Sequence, residues 1–146
     1  MKIVRSILCL FLCVASLSLF AQDISLFRQF NGRYDYTAIG NTLNPGENNV
    51  SDFCTILETS SAELSLDQNN TVVKAYLYWA GSGLGDTEVE LNGIPITADD
   101  TYNVFYNDPF GGELSYFSCY ADITDQIINL DNGIYQFSEA DINSSI

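Results

Sequence analysis

A mostly apolar run from Ile7 to Phe20, interrupted only by Ser16 and Ser18, is followed, after Ala21, by a chain in which no stretch keeps a helical period. Short stretches of alternating or continuous apolar residues recur instead, each bounded by Gly, Pro, Asn or Asp. That pattern predicts strands over residues 25–30, 33–39, 62–66, 71–80, 87–91, 94–97, 102–106, 114–122 and 133–138. Asn92-Gly93 separates Glu88-Val89-Glu90-Leu91 from Ile94-Pro95-Ile96, and this dipeptide favours a two-residue hairpin because both central positions need positive φ. Pro95 is thereby expected at an edge or a bulge, where a missing N–H costs no ladder bond. Residues 123–128 predict one short helical turn with Asp122 or Thr124 as its cap. Many short strands at close spacing predict an all-β fold, an antiparallel β-sandwich.

Alternation also assigns faces. In residues 71–80, Val73, Ala75, Leu77 and Trp79 share one face, and Val72, Lys74, Tyr76 and Tyr78 share the other. Lys74 marks the second face as the wetter one, so Trp79 is expected in the core. In residues 114–122, Phe117, Cys119 and Ala121 oppose Tyr116, Ser118 and Tyr120. Tyr76, Tyr78, Tyr116 and Tyr120 are therefore candidates for stacking on a sugar or a partner, with ordinary strand packing as the plainer alternative.

The leader changes the picture of compartment. Lys2 and Arg5 precede the apolar run and a small residue closes it, the layout of a secretory signal peptide over residues 1–21 cleaved after Ala21. Residues 22–146 then form one domain's worth of chain, exported or displayed at the cell surface, and without stable membrane insertion. Cys9 and Cys13 leave with the leader, so Cys54 and Cys119 remain as a candidate disulfide, against the alternative of two buried thiols. Closing a loop of roughly 65 residues would stabilise the fold by about 4 kcal/mol.

The net charge of the chain is −14, and outside the leader only Arg28, Arg33 and Lys74 oppose nineteen acids. A surface of that sign repels polyphosphate, which argues against nucleic acid as a partner. There is no histidine, which removes Ser-His-Asp and Cys-His catalysis and histidine-ligated metals. Gly81-Ser82-Gly83-Leu84-Gly85 lacks the lysine of a phosphate loop and predicts a turn. Carboxylate pairs occur at Asp86, Glu88 and Glu90 and at Asp99 and Asp100, but Glu88 and Glu90 look like the solvent face of a strand and no raised-pKa environment is legible in the sequence, so no enzyme activity is expected. A glycosidase fragment using two carboxylates is the least favoured class. No cofactor is expected, and calcium is the candidate ion, on loops carrying Asp99, Asp100 and Asp108, although their spacing matches no EF-hand.

Four stretches together carry a resemblance: Val73-Lys74-Ala75-Tyr76-Leu77-Tyr78-Trp79-Ala80-Gly81, Val89-Glu90-Leu91-Asn92-Gly93, Ala121-Asp122-Ile123-Thr124-Asp125 and Asn132-Gly133-Ile134-Tyr135. Over residues 30–142 the chain resembles an N-terminal β-sandwich module of large secreted bacterial surface proteins, similar to type IX secretion cargo and gliding-motility-associated proteins. A looser likeness is to the jelly roll of galactose-binding-like domains. The resemblance implies a jelly-roll-like sandwich and brings no established activity with it. Proteins of that kind continue into further strands and a C-terminal sorting domain, so the sandwich is expected to be incomplete at the C-terminus, as a fragment or as a product without the sorting signal. The expected function is a non-catalytic surface, adhesion or interaction module with a protein or glycan partner; the alternative is a carbohydrate-binding module attached to or derived from a secreted enzyme.

Overall fold

The computed structural model describes residues 26–46, 56–109, 112–130 and 132–140. The chain divides into two compact units, residues 1–36 and 37–146. In the first, the described residues carry no regular secondary structure, contrary to the strand expected at residues 25–30. Local contacts take the place of a ladder there: the Phe30 and Tyr34 rings meet at 5.9 Å, and the Arg28 guanidinium stands 6.0 Å from the centre of the Phe27 ring. Residues 33–39 are likewise irregular, since no described neighbouring strand offers them bonds.

The second unit holds seven described strands and one helix: β1 (Thr59–Leu64), β2 (Tyr76–Ser82), β3 (Glu88–Leu91), β4 (Ile94–Thr97), β5 (Asp100–Asp108), β6 (Gly112–Asp122), α1 (Thr124–Leu130) and β7 (Gly133–Ser138). They form two antiparallel sheets, one of four strands in the order β1-β7-β3-β4 and one of three in the order β2-β6-β5. The fold is all-β, and neither sheet closes on itself. The chain crosses between sheets after β1, after β2, after β4 and through α1, so neighbours in sequence are only sometimes neighbours in space.

One apolar cluster draws on both sheets and on the helix. Leu64, Val89, Leu91, Ile96 and Tyr135 come from the four-stranded sheet, Trp79, Phe117, Cys119 and Ala121 from the three-stranded one, and Ile123 and Ile127 from the entry to α1 and its body. Burial of these side chains is the main favourable term of the fold, at about 1.5 to 3 kcal/mol for each large one. Glu88 and Glu90 alternate with buried Val89 and Leu91 and so lie on the outer side of β3.

Two sequence signals are realised in full. Asn92 and Gly93 both take positive φ, 55° and 72°, and turn β3 into β4 with Leu91 opposite Ile94. β4 is an edge strand, which is where Pro95 is tolerated. The helical turn is slightly longer than expected and begins at Thr124, whose N–H is taken by Asp122 Oδ1 at 3.1 Å, so Asp122 is the residue that serves the helix start. The strand expected from residue 71 begins only at Tyr76. Its first residues turn elsewhere: Ala75 N–H donates to Thr124 Oγ1, Ala75 C=O accepts from Ile123 N, and Lys74 reaches the Asp122 carboxylate. These bonds tie the start of β2 to the end of β6 and the start of α1.

Candidate ligand-binding face

The register of the three-stranded sheet decides which side chains share a face. Trp79 pairs with Cys119, which pairs with Thr101, and Leu77 pairs with Ala121; these residues form the inner side. One step along, Tyr78 pairs with Tyr120, which pairs with Asp100; Ala80, Ser118 and Tyr102 make the next row, and Ser82, Tyr116 and Val104 the row after. Leu114 and Tyr106 extend the outer side beyond the end of β2. This outer side is aromatic and open: Tyr78 is 65% exposed, Tyr102 57%, Val104 63% and Tyr116 44%.

Three of the four tyrosines expected to act together are in contact. Tyr76 and Tyr78 rings lie 6.4 Å apart and Tyr78 and Tyr120 rings 6.1 Å apart, tilted by 50° and 37°. Tyr116 shares their face but stands four residues before Tyr120 on β6, about 14 Å along the strand. Tyr102 lies in the row between them, and sequence reading missed its role. The signal was available in the two-residue period of Tyr102, Val104 and Tyr106, but only the register to β6 shows that this period falls on the tyrosine side.

Carboxylates set the electrostatics of the face. Asp100 Oδ2 accepts a hydrogen bond from the Tyr102 hydroxyl at 3.1 Å, and Asp100 Oδ1 accepts from Thr101 N–H. The hydrogen bond to Asp100, with the carboxylate's charge behind it, raises the Tyr102 hydroxyl pKa above its ordinary value. Tyr120 is raised too, first by desolvation and then by the charges of Asp100 and Asp99. The share of both shifts that comes from Asp100, joined at Tyr120 by Asp99, reflects the negative charge beside the tyrosines. Lys74, the one basic residue of the 37–146 unit, is held in its pair with Asp122. That pair, with two bonds from Thr124, pulls the Asp122 carboxyl down to about 2.

Other expected sites fare differently. β5 places Asp100 and Asp108 at opposite ends of a nine-residue strand, about 27 Å apart, so Asp99, Asp100 and Asp108 do not converge on one ion. Asp99 is engaged through Oδ2 by Asp122 N–H at 2.7 Å, and no group of three or more metal-ligating side chains occurs among the described residues. No disulfide occurs among the described residues either. Cys119 is a free thiol, fully buried, with its sulfur 3.4 Å from the Asp86 carbonyl oxygen and 3.4 Å from Thr101 Oγ1; Cys54, its expected partner, lies outside them. The expected leader, residues 1–21, also lies outside them, and no helix among the described residues is long and apolar enough to cross a membrane.

A hollow lies on the other sheet, at the outer edge of β1. Asn41, Thr42, Asn44, Thr59, Ser60 and Gln136 contribute to its lining with Leu57, and the lining is mostly uncharged polar groups and contains no ionisable side chain. It offers hydrogen bonds but neither an acid nor a base. Gly83 and Gly85 carry φ of 112° and 108° in the turn that follows β2, and a Cβ on Gly85 would sit 3.4 Å from Phe117 Cβ. The glycine-rich stretch is thus a tight return over the core, not a phosphate cradle. No family model, no curated protein and no solved structure matches this chain.

Proposed function

We propose that this chain is a non-catalytic interaction module of a secreted or surface-displayed protein, and that the outer side of the β2-β6-β5 sheet is its recognition surface. The observation that carries the reading is the open tyrosine side itself, Tyr76, Tyr78 and Tyr120 in ring contact with Tyr102 and Tyr116 beyond them. Exposed aromatic rings on a rigid sheet give large contact area at little conformational cost. The hydrogen-bonded engagement of Asp99 and Asp100 supports a surface that holds a ligand without transforming it.

The same observation favours carbohydrate as a second reading, because pyranose rings stack on tyrosine faces while Asp100 and the tyrosine hydroxyls bond sugar hydroxyls. Glycan-array binding of the purified chain, with Tyr78→Ala and Tyr102→Ala variants, separates the two. Loss of array signal by about tenfold or more in both variants establishes the carbohydrate reading. Hydrolase turnover that vanishes in D86N, E88Q, D99N or D100N defeats the non-catalytic one.

A further inference from the structure

β5 is the outer strand of its sheet, and apart from an aspartate at each end it lacks the usual protections of an edge. Its nine residues contain no Pro, Gly or Lys, and its pairing to β6 runs from Asp100 opposite Tyr120 to Asp108 opposite Gly112 without a bulge. In such a strand alternate residues direct N–H and C=O away from the sheet. No described strand pairs with that side, and residues 102–107 are all exposed. β2 reaches β6 only between Tyr116 and Asp122, so the outer half of the β5–β6 pair continues as a two-stranded ribbon. Phe105 and Tyr106 stand on opposite faces of that ribbon, each more than half exposed. A long exposed edge of this kind, with no bulge or proline to interrupt it, is a template for pairing with another strand.

Charge selects the strand. An antiparallel second copy centred on Val104 sets Asp100 against Asp108 at both ends, and a parallel copy in register sets each aspartate beside its own equivalent. Like charges directly opposite are destabilising, and each chain already carries −14. A cationic residue at each end of the incoming strand reverses the sign of both end contacts.

We infer that the outer edge of β5 docks an extended segment of a basic partner protein, with Lys or Arg eight residues apart against Asp100 and Asp108 and β-branched or aromatic residues between them. The segment adds a fourth strand, with main-chain bonds supplying affinity and the two end charges supplying register.

The test uses the full chain and the fluorescein-labelled peptide Lys-Thr-Val-Thr-Val-Thr-Val-Thr-Lys, with a Glu-ended analogue, read by anisotropy at low salt. The Lys-ended peptide is expected to bind about tenfold more tightly than the Glu-ended one, and the D100N/D108N variant to bring the two close to parity. N-methylation of alternate peptide nitrogens is expected to abolish binding. Equal affinity for both peptides, binding of neither, or binding indifferent to N-methylation overturns the inference. A concentration-dependent dimer of the unmodified chain in sedimentation also overturns it, by giving the edge to a second copy. Glycan binding is read separately on the tyrosine variants, so failure at this edge leaves the tyrosine reading standing.

Discussion

Asp122 does several jobs from one position. Its carboxylate accepts from Lys74 Nζ, from Thr124 N–H and from the Thr124 hydroxyl, while its own N–H is taken by Asp99. Those bonds hold its folded pKa near 2, below the ordinary 3.8, with the Lys74 bond the largest cause. A depressed folded pKa stabilises the fold above the unfolded value and loses that contribution as pH falls from about 4 towards about 2. The pair is partly exposed, which weakens it by solvent screening. Asp122→Ala should cost about 1 to 2 kcal/mol at pH 7, since it removes an ion pair and a helix-start acceptor together. In urea titrations at pH 7 and pH 3, Asp122→Asn should lose less stability on acidification than the unmodified chain. An unchanged acid dependence would mean that other carboxylates govern it. Sequence pattern reached the cap but not the ion pair, because Lys74 was placed on the wet side of a strand that begins only two residues later. The tyrosines show the same boundary: alternation put Tyr76, Tyr78 and Tyr120 on one side each of their own strands, but nothing local says that Tyr78 faces Tyr120 or that Tyr102 fills the next row.

The β3–β4 hairpin was legible because its turn is dictated by backbone sterics within two residues. β7 and β4 are legible with the boundaries the structure shows, each starting at or just after a glycine. What could not be read is that Asn92 also serves β7. Its backbone N–H donates to Gln136 C=O at 2.8 Å, its Oδ1 accepts from Gln136 N–H at 2.7 Å, and its Nδ2 reaches Ile134 C=O at 3.5 Å. β3 and β7 share only the Glu90–Ser138 and Leu91–Phe137 pairs, so the side chain extends a short seam. Asn92→Gly keeps the positive φ and loses the side-chain bonds, and should destabilise by about 1 kcal/mol. Asn92→Ala loses the same bonds and adds backbone strain, so it should cost more. Chemical denaturation of both variants checks the order, and equal losses would show that the seam rather than φ sets the requirement. The strands expected at residues 25–30 and 33–39 failed for the converse reason. Their alternation is real, but a strand exists only where another backbone takes its bonds.

For the whole molecule, the all-β class was legible and the sheet order was not. Strand count and spacing follow from composition along the chain, whereas β1 pairing with β7, and β2 with β6, joins segments far apart in sequence. The division of labour follows from that order. One sheet gives the core its branched aliphatics, and the other gives it Trp79 and Cys119 while turning its tyrosines outward. Trp79 is the sole tryptophan, it is buried, and its Nε1–H donates to the Asp86 carbonyl oxygen at 2.8 Å, the same oxygen that Cys119 Sγ approaches. The tryptophan emission of the folded chain, excited selectively over the nine tyrosines, therefore arises from one indole in a dry, hydrogen-bonded setting across the ladder from a thiol, a quencher of indole excited states. Unfolding should shift the emission to the red and raise its yield relative to the Cys119→Ser variant, while ligands on the tyrosine side, one strand thickness away, should leave its wavelength where it is. A single optical signal thus separates loss of the core from occupancy of the surface.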